Sequence, residues 1–155
     1  MNTTIIPGLD FIKKFGPGLT TMLVDKLNPR YCDGDPVREL SLTKPLFDAQ
    51  AVRVEALGRQ LTEERTALLV GEMGVGKTLM GTAVSRWLYL EHLKKGTQHL
   101  NVLITCPPTL ISTWQDEIKA ALPAGSFRFI NFLKRVAPSK GMNICILPYS
   151  RLRMH

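Results

Sequence analysis

Thr66-Ala67-Leu68-Leu69-Val70-Gly71-Glu72-Met73-Gly74-Val75-Gly76-Lys77-Thr78 is the stretch whose reading decides the fold. It opens with a short apolar run of strand length that ends directly at a glycine-rich loop. After the loop a helical pattern begins, with Met80, Ala83, Val84, Trp87 and Leu88 on one face. Gly71-x-x-x-x-Gly76-Lys77-Thr78, set between a strand and a helix, has the full spacing of a phosphate-binding P-loop. Glycines let backbone N–H groups close around phosphates where a side chain would block the approach. The helix that starts near Gly76 turns its unpaired N–H groups and positive dipole end toward the same anion. Lys77 supplies a mobile positive charge for the outer phosphates, and Thr78 offers a hydroxyl to the shell of a Mg²⁺ ion. The expected ligands are ATP and Mg²⁺, held by Gly71, Glu72, Met73, Gly74, Val75, Gly76, Lys77, Thr78 and Leu79, with Thr78 on the metal side. A glycine turn that only joins strand to helix is the alternative, and the flanking strand and helix argue against it.

Outward from the loop, strand and helix patterns alternate. Upstream, Phe47, Ala51, Val54, Leu57 and Leu61 recur at helical spacing, which predicts an amphipathic helix over Leu46–Leu61. Downstream, the helix after the loop should stop near Lys94-Lys95-Gly96, where lysines suit a helix C-terminus and glycine its cap. A strand is expected over Asn101–Cys106, ending at Pro107-Pro108. A helix comes next, with Leu110, Ile111, Trp114, Ile118, Ala121 and Leu122 on its buried face. Phe127–Phe132 and Met142–Leu147 read as two more strands. The alternation argues an α/β domain with a mainly parallel sheet, whose ligands bind at the carboxyl ends of the strands. Residues 1–45 are broken by Pro7, Gly8, Gly16, Pro17, Gly18, Pro29, Gly34, Pro36 and Pro45. They read as an N-terminal extension, with short helices possible over Asp10–Phe15 and Leu19–Leu27, ahead of a partial ATP-binding domain at 46–155.

Composition excludes several classes. With 45% hydrophobic and 21% charged residues, the 155-residue chain can bury a core and is not of the disordered type. No apolar run approaches the ~20 residues that cross a bilayer, so no membrane partner is expected. The N-terminus lacks the pattern of a secretory signal. Cys32, Cys106 and Cys145 are odd in number and, like His92, His99 and His155, lack zinc-ligand spacing. Free thiols of this kind fit a reducing, cytoplasmic setting. The net charge of +7 agrees with an anionic partner such as nucleic acid, although the lysines and arginines are dispersed in pairs.

Beyond the loop, the order of segments resembles the first RecA-like lobe of superfamily-two helicases, especially the Swi/Snf-type DNA translocases. The resemblance covers about residues 45 to 153. Leu68-Leu69-Val70-Gly71-Glu72-Met73-Gly74-Val75-Gly76-Lys77-Thr78 looks like that group's motif I, with the distinctive Glu-Met-Gly inside the loop. Leu46-Phe47-Asp48-Ala49-Gln50 is similar to the Q-motif region, which implies that Gln50 recognises adenine. Ile104-Thr105-Cys106-Pro107-Pro108-Thr109-Leu110-Ile111-Ser112-Thr113-Trp114 looks like motif Ia. By that resemblance Thr105, Pro107, Thr109 and Ser112 would touch a nucleic-acid backbone, and a helix start rich in hydroxyls and N–H groups suits a phosphate. Capping of that helix by Thr109 or Ser112 is compatible with the same role. Ile144–Arg153 resembles the strand and Tyr-x-x-Leu turn before the family's acidic motif, with Pro148 where a threonine is common. The implied fold is a three-layer RecA-like P-loop fold, and the implied partner is DNA rather than RNA.

Hydrolysis needs an acidic residue to hold Mg²⁺ and a carboxylate to orient the attacking water. In the family both come from a DEAH-type box. Here Asp116-Glu117 falls within a helix and Glu63-Glu64 precedes the first expected strand, so no catalytic residue is assigned. The expectation is the front portion of a DNA-dependent helicase or translocase that holds ATP without cutting it, with the acidic motif and second lobe supplied downstream. The competing readings are a stand-alone nucleotide-binding module and another kind of P-loop ATPase.

Overall fold

A computed structural model describes residues 29–131 and 140–153, together with 10, 13–18 and 21–22. Of the helix expected over Asp10–Phe15, residues 10 and 13–15 are described and helical, and the helical run continues to 18; the helix expected over Leu19–Leu27 falls largely outside the described residues. Helix α1 spans Asp48–Glu64 and begins where the Gln50 side-chain oxygen accepts the Phe47 backbone N–H at 3.1 Å, one half of a capping box. It ends at Arg65, a non-glycine residue held in the left-handed region at φ 59°. Helix α2 spans Lys77–Lys94. Its end is closed by Gly96 at φ 84°, with the Gly96 and Thr97 N–H groups donating to the Leu93 and His92 carbonyls, both at 3.0 Å.

Three strands follow: β1 (His99–Cys106), β2 (Phe127–Phe129) and β3 (Gly141–Pro148). Helix α3, Ile111–Ala121, lies between β1 and β2 and is entered through a single 3₁₀ turn at Pro108–Leu110. The sheet order is β1-β3-β2 and both pairings are parallel, with α3 on the path that leaves β1. β3 is central and buried from Gly141 to Cys145. One sheet face, carrying Met142, Ile144, Leu100, Val102, Ile104, Phe127 and Phe129, packs with Tyr89, Ile118 and Leu122. Asn101, Asn143 and Arg128 stand in register across the three strands. They form a polar rung: Asn143 Nδ2 donates to Asn101 Oδ1 at 3.0 Å, and Arg128 Nε donates to Asn143 Oδ1 at 2.6 Å. A one-residue slip would break both bonds and turn the apolar residues away from the core.

A second core joins α1 to α2 around Val54, Met80, Ala83, Val84 and Trp87, with Leu40 supplied by the segment upstream. Trp87 lies over Gly58, where a Cβ would come within 2.3 Å of the indole ring. The indole N–H donates to the Glu55 carboxylate at 2.9 Å, the Arg38 guanidinium lies 3.9 Å from the ring centre, and Glu55 also accepts from the Arg38 N–H and Arg59 Nε. Burial pushes the Glu55 carboxyl up, but the bonds from Trp87, Arg38 and Arg59 outweigh it and hold the group below its ordinary value.

Several sequence expectations need correction. Thr66–Val70 is extended and alternates, with Leu69 half-buried and Leu68 and Val70 83% and 79% exposed, but it is not a strand. A strand exists only when another pairs with it, and among the described residues none pairs with this run. The helix expected over Leu46–Leu61 is shifted to Asp48–Glu64, and the strand expected over Phe127–Phe132 stops at Phe129. Trp114, expected as core, is half-buried at the edge of the second cluster.

Helical Gly→Ala substitutions ordinarily stabilise, because alanine loses less backbone entropy. At Gly58 the sign should reverse: Gly58→Ala is expected to cost about 1–3 kcal/mol through displacement of Trp87, read as a lowered unfolding midpoint. The Glu55 bonds should also leave an acid limb. A carboxyl depressed in the folded state stabilises fully above its unfolded value, near 4.5, and loses that contribution as pH falls through the lower folded one. Unfolding midpoints measured from pH 6 to pH 3 should fall less steeply for Glu55→Gln than for the native chain.

Candidate nucleotide site

The loop between Val70 and α2 is shaped by glycine at the two positions where the backbone turns left-handed, Gly74 at φ 85° and Gly76 at φ 83°. No heavy atom lies within 4 Å of a Cβ placed on Gly74, so its freedom is purely conformational. At Gly76 a Cβ would also meet Gln50 Nε2 at 2.5 Å, the far end of a side chain that would have to shift, while the left-handed conformation itself favours glycine. Gly76 is the N-cap of α2 and makes no side-chain cap bond. The first-turn N–H groups of the helix are thus the unpaired donors that a phosphate would need.

Lys77 Nζ donates to the carbonyls of Gly71 at 3.0 Å and Glu72 at 2.6 Å, arching the ammonium across the mouth of the loop. Gly71, Glu72, Met73, Gly74, Val75 and Lys77 are exposed, and Gly76 and Thr78 are half-buried. Leu79 is 6% exposed, so its side chain belongs to the core and only its backbone N–H can serve a ligand. Gln50 is brought to the loop from α1: its Nε2 donates to the Val75 carbonyl at 3.0 Å while its Oε1 holds the Phe47 N–H. The glycine-shaped cradle, the lysine across it and the adjoining amide fit a nucleoside triphosphate, and the Thr78 hydroxyl stands in the first turn where a Mg²⁺ ligand would be drawn from.

Thr105, Pro107, Thr109 and Ser112 lie at the carboxyl end of β1 and the start of α3. Thr105 and Pro107 are half-buried, whereas Thr109 and Ser112 are exposed. The N-cap of α3 is Leu110, an apolar residue that makes no side-chain capping bond. This group meets the loop's helix through Trp114, whose ring would lie 3.2 Å from a Cβ on Gly81. Arg151 lines a cavity of about 340 Å³ with Ile111 and Pro148, at the same end of the sheet. The side chain of Arg153 lies outside the described residues.

Arg53 went unnoticed in the sequence. It stands one turn after Gln50 and borders a cavity of about 280 Å³ with Gly71, Glu72 and Val75. The helical spacing from Gln50 was the available signal.

The family model of the SNF2-related domain matches residues 39–152. The chain therefore belongs to the SNF2-related domain family and carries an N-terminal RecA-like portion of a Swi/Snf-type superfamily-two helicase. That family is one of helicase-like ATPases, which in general use ATP with Mg²⁺ and act on nucleic acid. No curated protein matches the chain.

Gly76→Ala combines a left-handed φ with the encounter with Gln50. It should cost about 1–3 kcal/mol of stability by thermal or urea unfolding, against near-neutral effects for an alanine in exposed helix.

Proposed function

We propose that the chain binds ATP and Mg²⁺ through Gly71–Leu79 and Gln50 and forms the ATP-binding front portion of a DNA-dependent helicase or translocase. The observation that carries the reading is the contact of Gln50 with the loop. Among the described residues its amide uses one N–H on Val75 and one lone pair on Phe47. A second N–H and a second lone pair are left for the N7 acceptor and N6 donor of adenine, the pairing that a glutamine amide makes with that base. In this reading Lys77 leaves the Gly71 and Glu72 carbonyls for the phosphates, and Thr78 holds the metal; bound Mg²⁺ would neutralise phosphate charge.

The nucleic-acid contact is assigned to Thr105, Pro107, Thr109 and Ser112. Its support is the pair of exposed hydroxyl residues, Thr109 and Ser112, at the start of α3 and the net charge of +7. Such contacts grip the backbone without reading bases, and duplex DNA is the proposed partner. Residues 1–45 are proposed as an extension on a 46–155 ATP-binding unit, and the free Cys32, Cys106 and Cys145 favour a reducing, cytoplasmic setting. Hydrolysis is assigned to none of these residues: Asp116 and Glu117 lie on α3, paired toward Lys119 and Lys44. ATP is held but not cut until an acidic motif and a second lobe complete the site.

Mg·ATP should raise the unfolding temperature of the native chain but not of Lys77→Ala, with no phosphate release above background. Equal stabilisation of Lys77→Ala would remove the phosphate assignment. Duplex DNA, followed by fluorescence anisotropy, should bind weakly and more weakly with salt, and Thr109→Ala with Ser112→Ala should lower affinity further. Binding indifferent to both changes would remove the assigned interface.

A further inference from the structure

We infer that Trp114 is a positioning residue for the assigned nucleic-acid contacts, and that Gly81 is the notch on α2 that seats it. The inference rests on the nucleic-acid reading of Thr109 and Ser112. Its ground is one close approach: a Cβ on Gly81 would lie 3.2 Å from Trp114 Cη2 and 3.7 Å from Cζ3.

Gly81 stands in the interior of α2, one turn beyond Lys77 and Thr78. It is not among the glycines with a positive φ, so the backbone there does not call for glycine. A glycine inside a helix costs stability relative to alanine, through the extra backbone entropy it loses. What its missing side chain leaves is room for the outer edge of an indole. Trp114 is half-buried and packs against the second core, and its six-membered ring reaches from that core to the surface of Gly81. An alanine at 81 would force the ring to give by a few tenths of an ångström.

Burial is graded along α3, which makes this seat matter. The C-terminal half is anchored: Ile118, Ala121 and Leu122 are buried. The Thr43 N–H donates to the Ala121 carbonyl at 2.9 Å, and Lys44 pairs with Glu117 at 2.8 Å. At the other end Thr109, Leu110, Ser112 and Thr113 are exposed. Ile111, in the same turn, borders the cavity of about 340 Å³ that it shares with Pro148 and Arg151. A helix pinned at one end, with open space beside the other, takes its tilt from whatever seats the looser end. Trp114 lies one turn after Leu110 and ties that end to α2. The depth of the indole in its notch therefore sets where Thr109 and Ser112 stand.

Gly81→Ala tests the seat without removing any packed group, and its gain in helix propensity favours folding. Trp114→Phe is the compensating change, because phenylalanine has the smaller ring. Ligand-free unfolding midpoints check that each variant folds. The Thr109 and Ser112 amide resonances should move in Gly81→Ala, although the substitution is on α2. Duplex DNA, followed by anisotropy, should bind this variant about three-fold more weakly, part of the worth of one hydrogen bond. Gly81→Ala combined with Trp114→Phe should recover most of that loss, so that the two changes are non-additive. Resonances left in place by Gly81→Ala would overturn the seat whether or not DNA binds. Moved resonances with unchanged DNA affinity, or losses that simply add in the double variant, would overturn the positioning role and leave the interface intact. A native chain that does not bind duplex DNA would overturn the nucleic-acid reading and the positioning role with it.

Discussion

Trp87 seated over Gly58 is the contact on which the arrangement of the nucleotide loop depends. It sets how closely α1 and α2 approach, because the indole occupies the volume that any side chain at 58 would need. Burying a side chain of this size contributes about 2–3 kcal/mol, and the bond to Glu55 prevents the indole N–H from being left unsatisfied in the interior. Glu55 in turn would be costly at 5% exposure without its three donors, so tryptophan, carboxylate and the arginines Arg38 and Arg59 stand or fall together. Arg38 extends the arrangement to residues upstream of α1, since it also pairs with Glu91 at 2.7 Å. The product is a fixed distance between the start of α1 and the start of α2, which is the distance the Gln50 side chain must span to reach Val75.

That span converts helix packing into site chemistry. The loop is mostly exposed and carries few contacts of its own, so its shape depends on what holds its ends. Lys77 closes it from within through the Gly71 and Glu72 carbonyls, a restraint that an anion can compete for. Gln50 restrains it from outside, through the Val75 carbonyl. The first bond is of the kind a ligand displaces, and the second is of the kind a ligand leaves in place.

Much of this was legible in the sequence, and the rest was hidden for definite reasons. The spacing from Gly71 to Thr78 marks a glycine-rich loop with a helix starting near Gly76, and α2 does start there, with Gly76 as its N-cap at φ 83°. Gly96, expected as a cap from its place after two lysines, closes α2 as such a glycine should. The parallel sheet followed from alternation, since β1 and β3 are joined through a helix. Periodicity could not find the Glu55–Trp87–Arg38 group, because its partners lie up to 49 residues apart and each alone reads as an ordinary charged or aromatic residue. Gln50 was identified by resemblance to a base-binding position, but its bond to Val75 joins two elements and has no local signature. Leu46 misled the helix start for a simpler reason: it packs on the first core from the approach to α1, so its burial mimicked a helical face.

Thr66–Val70 shows where a pattern rule reaches its limit, and the loop inherits the consequence. An apolar run before a P-loop states what the chain can become, whereas a strand needs donors and acceptors from a neighbour. Among the described residues the sheet is β1-β3-β2 and holds no strand beside this run. Leu69 alone turns inward, onto the core that α1 and α2 share, while Leu68 and Val70 face outward. The entry to the loop is thus held by one leucine, and its exit by Gln50, the left-handed Gly76 and the buried first turn of α2 at Leu79 and Met80. Extended backbone without a ladder opens more readily than helix packed on a core, so the two ends of the loop differ in stiffness. The stiff end is the one that presents helix N–H groups. In this chain the geometry of the loop's exit is accordingly set by packing between two helices, and the sheet supports it through the residues that share a core with Tyr89 of α2.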